Sequence, residues 1–344
     1  MRRSMLVVLV LFVAACRHEE VVPAGSREVP VAKRPAVTDG VRMAFELDRG
    51  DLGTAAKIMQ ARLDAARIAS FVAVEKNVHV NRDEILVDIA NAAAEVVHRA
   101  RAIVAARGTL EVMLVDDGTQ YMRDLAAATA STRGISSREE RWGAPGNVEH
   151  ADSFLLASDE TEEVSVADAK QWGCLPDGVR TDHGSVRCRI TGRKRIERAL
   201  VNAPPPAGRQ IAYAKVRDES SAYGGSSWRT YLVHSASVVT VKDVARATAS
   251  TNGEVAVIFD APARRALAKL TRDNVGRKLA VLVDDAVVHA PMIGGAFEDV
   301  RLGATKDMPA ESLAVILSTG PLPGSTTWNW VATLRAGAVI AEPE

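Results

Sequence analysis

The chain carries no surplus of either charge: 43 Lys and Arg stand against 43 Asp and Glu in 344 residues. A whole-surface basic field that would hold nucleic acid is thereby excluded. Aromatics are scarce, at 4% of residues, so broad stacking surfaces are out of reach and small side chains must build the core. Past the amino-terminal region no run is apolar for the ~20 residues of a spanning helix. The best stretch, 92–106, is interrupted by Glu95, His98, Arg99 and Arg101. Catalytic punctuation is missing as well. Histidines occur singly, without a His-Glu-x-x-His pair, and no Gly-x-Ser-x-Gly elbow presents a nucleophile. Gly224-Gly225-Ser226-Ser227 lacks the lysine of a phosphate loop and reads as a flexible connection. His98 on a helix and His289 in a strand read as surface or packed residues rather than ligands. A non-enzymatic chain with no cofactor is the expectation.

What is present begins at the amino terminus. Arg2 and Arg3 are followed by an apolar core, Met5 to Val13, and then by Val13-Ala14-Ala15-Cys16. That is the layout of a bacterial secretory signal, residues 1–15, with small residues before the cut. Because the next residue is a cysteine, the motif resembles a lipobox, and Cys16 is the expected site of lipid attachment (palmitate among the acyl groups). A plain signal peptide with an incidental cysteine, or a short anchor, are the alternatives. Arg17 rather than aspartate after Cys16 favours the outer membrane on enterobacterial sorting rules. Cleavage would leave 41 basic against 43 acidic residues, a formal charge of −2. The remaining cysteines, Cys174 and Cys188, are the expected disulfide of an exported chain. A metal site would need more ligands than Cys174, His183 and Cys188 supply. Pro176, Asp177-Gly178 and His183-Gly184 give the enclosed loop a hairpin-like turn composition.

Residues 16–40, with Pro23, Pro30 and Pro35, read as a tether. Fully extended, it would reach about 75 Å at ~3.1 Å per residue. Residues 41–117 read as strand, helix, strand, strand, helix, strand, the βαββαβ order of a ferredoxin-like α+β unit. Thr54 is the expected cap of its first helix and Asn91 of its second, with Leu110 to Val115 as the closing strand. Residues 118–208 give an irregular middle region, including a basic segment at Arg193-Lys-Arg-Ile-Glu-Arg198 that reads as a solvated helical face. Residues 209–335 form a second α+β unit, and 336–344 a tail. In that second unit Lys242 to Ala249 is expected to be a short helix. Asp260 caps the helix from Ala261 to Val275, and Asp284-Asp285 forms a hairpin turn between two apolar runs. A last helix, Pro309 to Thr319, closes at Gly320. Trp328 and Trp330 have the same parity in a final strand and should share one face. That face is either core or an exposed aromatic strip for polypeptide.

The stretch Thr271-Arg-Asp-Asn-Val-Gly276, the strand ending Leu282-Val-Asp-Asp285, and Ala290-Pro-Met-Ile293 resemble the large periplasmic domain of the SecD family of the bacterial Sec translocase. Ala310-Glu-Ser-Leu-Ala-Val-Ile-Leu-Ser-Thr-Gly-Pro-Leu-Pro323 is similar to the family's closing helix and its Gly-x-Leu-Pro exit, and Ser237 to Ala247 to the element before. Fainter echoes lie in Arg62-Leu-Asp64, Ile85 to Ile89 and Gly108 to Val112. Asp285 and Val241 replace glycines of the family pattern, and Ala90-Asn91 a Pro-Gly. The resemblance implies a periplasmic domain that contacts unfolded polypeptide or Sec components in protein export. Lipid-anchored through Cys16, it would have no nucleic-acid partner. A structural or interaction lipoprotein of the envelope, with the fold but no export role, is the alternative.

Overall fold

Helix starts are set by single side chains. Asp51, Thr119, Ser165, Thr191 and Asp260 each accept the backbone N–H three residues on, which satisfies one of the orphan donors of a first turn. They open helices α1 (Leu52–Ala65), α3 (Gln120–Thr129), α4 (Val166–Gln171), α5 (Gly192–Ala199) and α6 (Ala261–Asp273). Helices α2 (Ala94–Ala105) and α7 (Ala310–Thr319) begin at Ala93 and Pro309, and no side chain caps either. Asp51 therefore does the work expected of Thr54, whose own amide is the donor. Asn91 lies outside the described residues. The computed structural model describes residues 37, 39–77, 81–90, 93–143, 150–175, 184–217, 226–305, 308–335 and 338–341.

The strands are β1 (Gly40–Leu47), β2 (Ser70–Asn77), β3 (Arg82–Ala90), β4 (Leu110–Leu114), β5 (Ser136–Trp142), β6 (His150–Ser158), β7 (Glu160–Ser165), β8 (Ser185–Ile190) and β9 (Arg209–Arg217). They continue with β10 (Ser226–His234), β11 (Val239–Thr240), β12 (Val244–Ala249), β13 (Glu254–Phe259), β14 (Leu279–Val283), β15 (Ala286–His289), β16 (Val300–Gly303), β17 (Thr326–Arg335) and β18 (Ala338–Ala341). Among the described residues four sheets result, in the orders β18-β17-β1-β3-β2, β11-β4-β14-β15-β9-β10-β6-β5, β12-β13-β16 and β7-β8. The fold is α+β.

Two departures from expectation follow from pairing that sequence neighbours cannot reveal. The strand at Leu110–Leu114 does not close a βαββαβ unit with β1. It pairs with β14 and β11 in the eight-stranded sheet, and β17 takes the place beside β1. The five-stranded sheet thus joins 40–90 to 326–341, and α1 and α2 cover its Met43, Phe45, Ile85, Val87 and Ile89 face. Residues 244–249, expected as helix, are strand β12. The capping box of Thr240 and Asp243 starts only a single 3-10 turn, Val241–Asp243, before pairing with β13 takes over. The middle region is not irregular either: it holds α3 to α5 and β5 to β8. Its basic segment is α5, whose Lys194 and Arg198 are solvated while Arg195 and Ile196 are buried.

Helix α7 belongs to two cores. Leu313, Ala314 and Leu317 pack with β12–β14 and α6, while Ile316 and the following Leu322 pack with α1 and α2. Burying about 1.5–3 kcal/mol per large side chain on each face makes α7 the common wall of both halves.

Candidate functional site

Arg62 organises the ground under the site. It sits on the apolar face of α1 between Met59 and Leu63, with no exposed surface. Its guanidinium donates to the carbonyls of Ile103 (3.0 Å), Ala106, Arg107 (3.1 Å) and Gly320 (2.8 Å). Those are the free carbonyls at the end of α2 and the one just past α7, where helices carry excess negative potential. Burial without a paired carboxylate pushes the Arg62 pKa down to about 10. Gly108, at φ +76°, lies close enough to the guanidinium that a β-carbon would collide with it. Leu322 N–H donates to the Arg107 carbonyl at 2.7 Å, so one arginine fixes both chain crossings that leave and re-enter the five-stranded sheet.

Above this clamp, α2 is flanked by two clefts. One, about 430 Å³, is lined by Val41 of β1, Val97, His98 and Arg101 of α2, and Val331 and Thr333 of β17. The other, about 560 Å³, lies between α2 and the start of α7 and is lined by Ala94, Glu95, His98, Arg99, Pro309 and Ser312. Arg99 Nε donates to the buried Ser312 Oγ at 3.3 Å and ties the two walls together. Both helix starts reach this second cleft without a side-chain cap, so backbone donors of two first turns border an apolar hollow. Val96 is 38% exposed on the crest of α2.

Trp328 borders the same helix. It is 39% exposed, and the Arg101 guanidinium lies over its ring at 4.2 Å. The strand that carries Trp328 and Trp330 is irregular between them. Phe45 pairs with Trp328 and Ala44 with Trp330, so a bulge at Asn329 interrupts the alternation. Asn329 itself donates to the buried Glu84 at 3.0 Å. The side chain of Trp330 lies outside the described residues. Trp328, with its apolar ring held flat under a cation, is the aromatic that faces solvent beside the clefts.

Elsewhere the candidate residues are structural. The sulfurs of Cys174 and Cys188 are joined, with the α-carbons 5.5 Å apart. Pro176, Asp177-Gly178, His183 and Cys16 lie outside the described residues. Asp284 and Asp285, at φ +49° and +64°, form the tight turn between β14 and β15. Asp284 accepts from Thr109 N–H at 2.9 Å and Asp285 pairs with Arg107 at 2.7 Å, so the turn docks onto the same crossing that Arg62 holds. Among the described residues no three His, Cys, Asp or Glu are gathered as a metal site. A partly buried charged cluster joins the outer strands to the centre. Glu140 contacts Arg229 (2.6 Å) and Lys278 (2.7 Å), and Arg229 contacts Asp152 (3.3 Å) while lying over Phe154 and Tyr231. Burial pushes Asp152 up to about 6 against the pull of Arg229 and Lys278.

Residues 215–324, which include β10 to β16, α6 and α7, match the family model of the SecDF P1 head subdomain. In that stretch the chain is SecDF-head-like. It is 35% identical over 105 residues to the protein translocase subunit SecD of Aquifex aeolicus, a match covering 29% of this chain and 21% of that protein. With the protein translocase subunit SecDF of Brucella abortus it shares 29% identity over 135 residues, 37% of this chain and 17% of the relative. The match to each curated relative thus spans about a fifth of that relative or less. The fold is similar to a crystal structure of SecDF in its super-membrane-facing form (TM-score 0.45, 17% identity, 86% of this chain and 30% of the other). A chain from a structure of SecDF, described as a membrane component that enhances protein export, gives a TM-score of 0.41 at 18% identity, over 83% of this chain and 97% of that one. In SecD terms, the head motifs are scaffolding: the Asp284-Asp285 turn and the Gly320-Pro-Leu-Pro exit sit at the two crossings. No helix among the described residues is long and apolar enough to cross a membrane.

The sequence named Arg62 only within a family echo and Arg99 and Arg101 only as charges interrupting an apolar stretch, none of them as a site residue. For Arg62 a signal existed: an arginine at helical spacing within the apolar stripe Ala55, Met59, Leu63 is a charge placed where the core must be.

Proposed function

We propose that this chain is a periplasmic, lipid-anchored SecD-type protein that holds unfolded polypeptide and assists protein export without catalysing a reaction. The observation that carries the reading is the match of residues 215–324 to the SecDF P1 head. The polypeptide ligand is supported by the clefts beside α2. An extended chain offers apolar side chains and backbone carbonyls in alternation, and these hollows offer apolar walls with uncapped helix starts and the exposed Trp328 at their border. Acylation of Cys16 after loss of 1–15, and the tether 16–40, would hold the folded part at the periplasmic face, on the outer membrane. Sec translocase components are the protein partners of the same reading.

The test titrates the protein with a permanently unfolded, carboxymethylated exported protein. Trp328→Ala and Val96→Glu should each weaken binding about five- to thirtyfold, the effect of losing one exposed anchor or charging an apolar crest. Unchanged affinity in both variants would remove the α2 clefts from the account. An unaltered secreted proteome in a deletion strain with a damaged envelope would select the structural role instead.

A further inference from the structure

Outside the residues that match the SecDF head, the end of α4 and the outer face of α5 enclose an open cleft of about 730 Å³. Its lining is basic in a chain that is otherwise balanced. Lys170, Lys194 and Arg198 border it, and Glu197, the carboxylate among its lining residues, is already engaged by Arg193 at 2.7 Å. Among the described residues no carboxylate pairs with those three cations, so their positive potential faces outward. The cleft is also preorganised. Lys194 Nζ donates to the Trp172 carbonyl at 3.1 Å, and the Arg198 guanidinium lies over the Trp172 ring at 4.4 Å while donating to Gln171 Oε1 at 2.5 Å. The Cys174–Cys188 bond anchors the residues that follow α4. At the rim Val201 is 74% exposed, an apolar side chain with no fold-level partner.

We infer that this cleft is a docking site for an acidic segment of a protein partner, one that carries carboxylates next to a bulky apolar side chain. Carboxylates meet Lys170, Lys194 and Arg198, and the apolar side chain lies against Trp172 and Val201. An open cleft of this size holds a few residues of extended chain, with Trp172 among its lining residues and Val201 at its rim as apolar contacts. The inference goes beyond the polypeptide-holding role proposed for the α2 clefts and does not depend on it. Charge complementarity here selects a partner by its acidity and speeds encounter, as rim charges do elsewhere.

The experiment measures anisotropy of a fluorescein-labelled peptide alternating Glu and Leu against the full chain, beside its Gln-Leu counterpart. Vesicles of phosphatidylcholine with and without phosphatidylglycerol serve as a separate arm. The Glu-Leu peptide should bind with an affinity that falls as salt rises, and the Gln-Leu peptide should bind about tenfold more weakly or worse. Lys170→Glu combined with Arg198→Glu should remove that preference. Lys170→Gln, at an exposed position without a hydrogen bond, should reduce it about severalfold with the thermal melt unchanged. Trp328→Ala should leave it intact, which separates this site from the α2 clefts. Equal binding of the two peptides, or a charge-reversed variant that binds like the parent, overturns the inference. So does binding to anionic vesicles with none to the peptide, which would assign the cations to lipid headgroups.

Discussion

Replacing Arg62 by methionine keeps most of the side-chain volume and removes every donor, so it isolates the clamp. Four carbonyls, the buried one of Ile103 and the partly buried ones of Ala106, Arg107 and Gly320, then lose a charged partner. Hydrogen bonds to a charged group are worth about 1.5–3 kcal/mol each. Against that gain stands the desolvation of a guanidinium whose pKa is lowered from 12.5 to about 10, a cost of about 3 kcal/mol at 1.36 kcal/mol per unit. The net loss on substitution is about 3–9 kcal/mol, its lower end being the range found when one partner of a buried charged contact is removed. Lysine would restore less than half of this, because a point charge cannot fork to carbonyls from two helices. Urea denaturation followed by far-UV circular dichroism reads the change as a shift of midpoint at constant slope. A loss below about 1 kcal/mol for Arg62→Met would refute the claim that the clamp holds the chain crossings together.

Three further outcomes follow from local geometry. Gly108→Ala should cost about 2–4 kcal/mol in the same assay, since φ is +76° and the new methyl meets the Arg62 guanidinium and Ile316. Asp152 has its folded pKa raised, so the stability it contributes is present below its unfolded value near 4 and lost as pH rises through about 6. Relative to Asp152→Asn, the parent should therefore lose about 2–3 kcal/mol between pH 4 and 7, and parallel pH profiles would contradict the assigned burial. Cys174→Ser with Cys188→Ser should lower stability by about 3 kcal/mol for a loop of sequence separation 14, read by thermal melting without reductant.

Legibility in the sequence tracked how local each signal was. Helices α6 and α7 could be read because Asp260 and Gly320 act on their own first and last turns. The Asp284-Asp285 turn was equally plain, since only a few residue types accept positive φ there. Thr119, Ser165 and Thr191 sent the same kind of cap signal in the middle region, but the dispersed polar residues around them masked it. Strand β4 shows the limit: its apolar residues announce a strand and say nothing of whether β1 or β14 is its neighbour. Strand β17 finds β1 from the far end of the chain, and its bulge at Asn329 is a backbone feature that residue alternation does not announce. Residues 244–249 carry three alanines and Arg246, which favour helix, and pairing with β13 overrode that preference. The α2 clefts were invisible because one needs β17 beside α2 and the other needs α7 there, the latter contact set by the shared core of Ile316 and Leu322.

The central claim is that the surface around α2 receives unfolded exported chains. A photoreactive amino acid placed at Val96, 38% exposed on the crest of α2, tests it in living cells during pulse-labelled secretion. The same probe at Lys269, on the exposed face of α6, serves as the control. Adducts with newly made exported polypeptide at Val96, absent at Lys269 and diminished by Trp328→Ala, are the predicted result. Equal yields at both positions, or none at Val96, would contradict it.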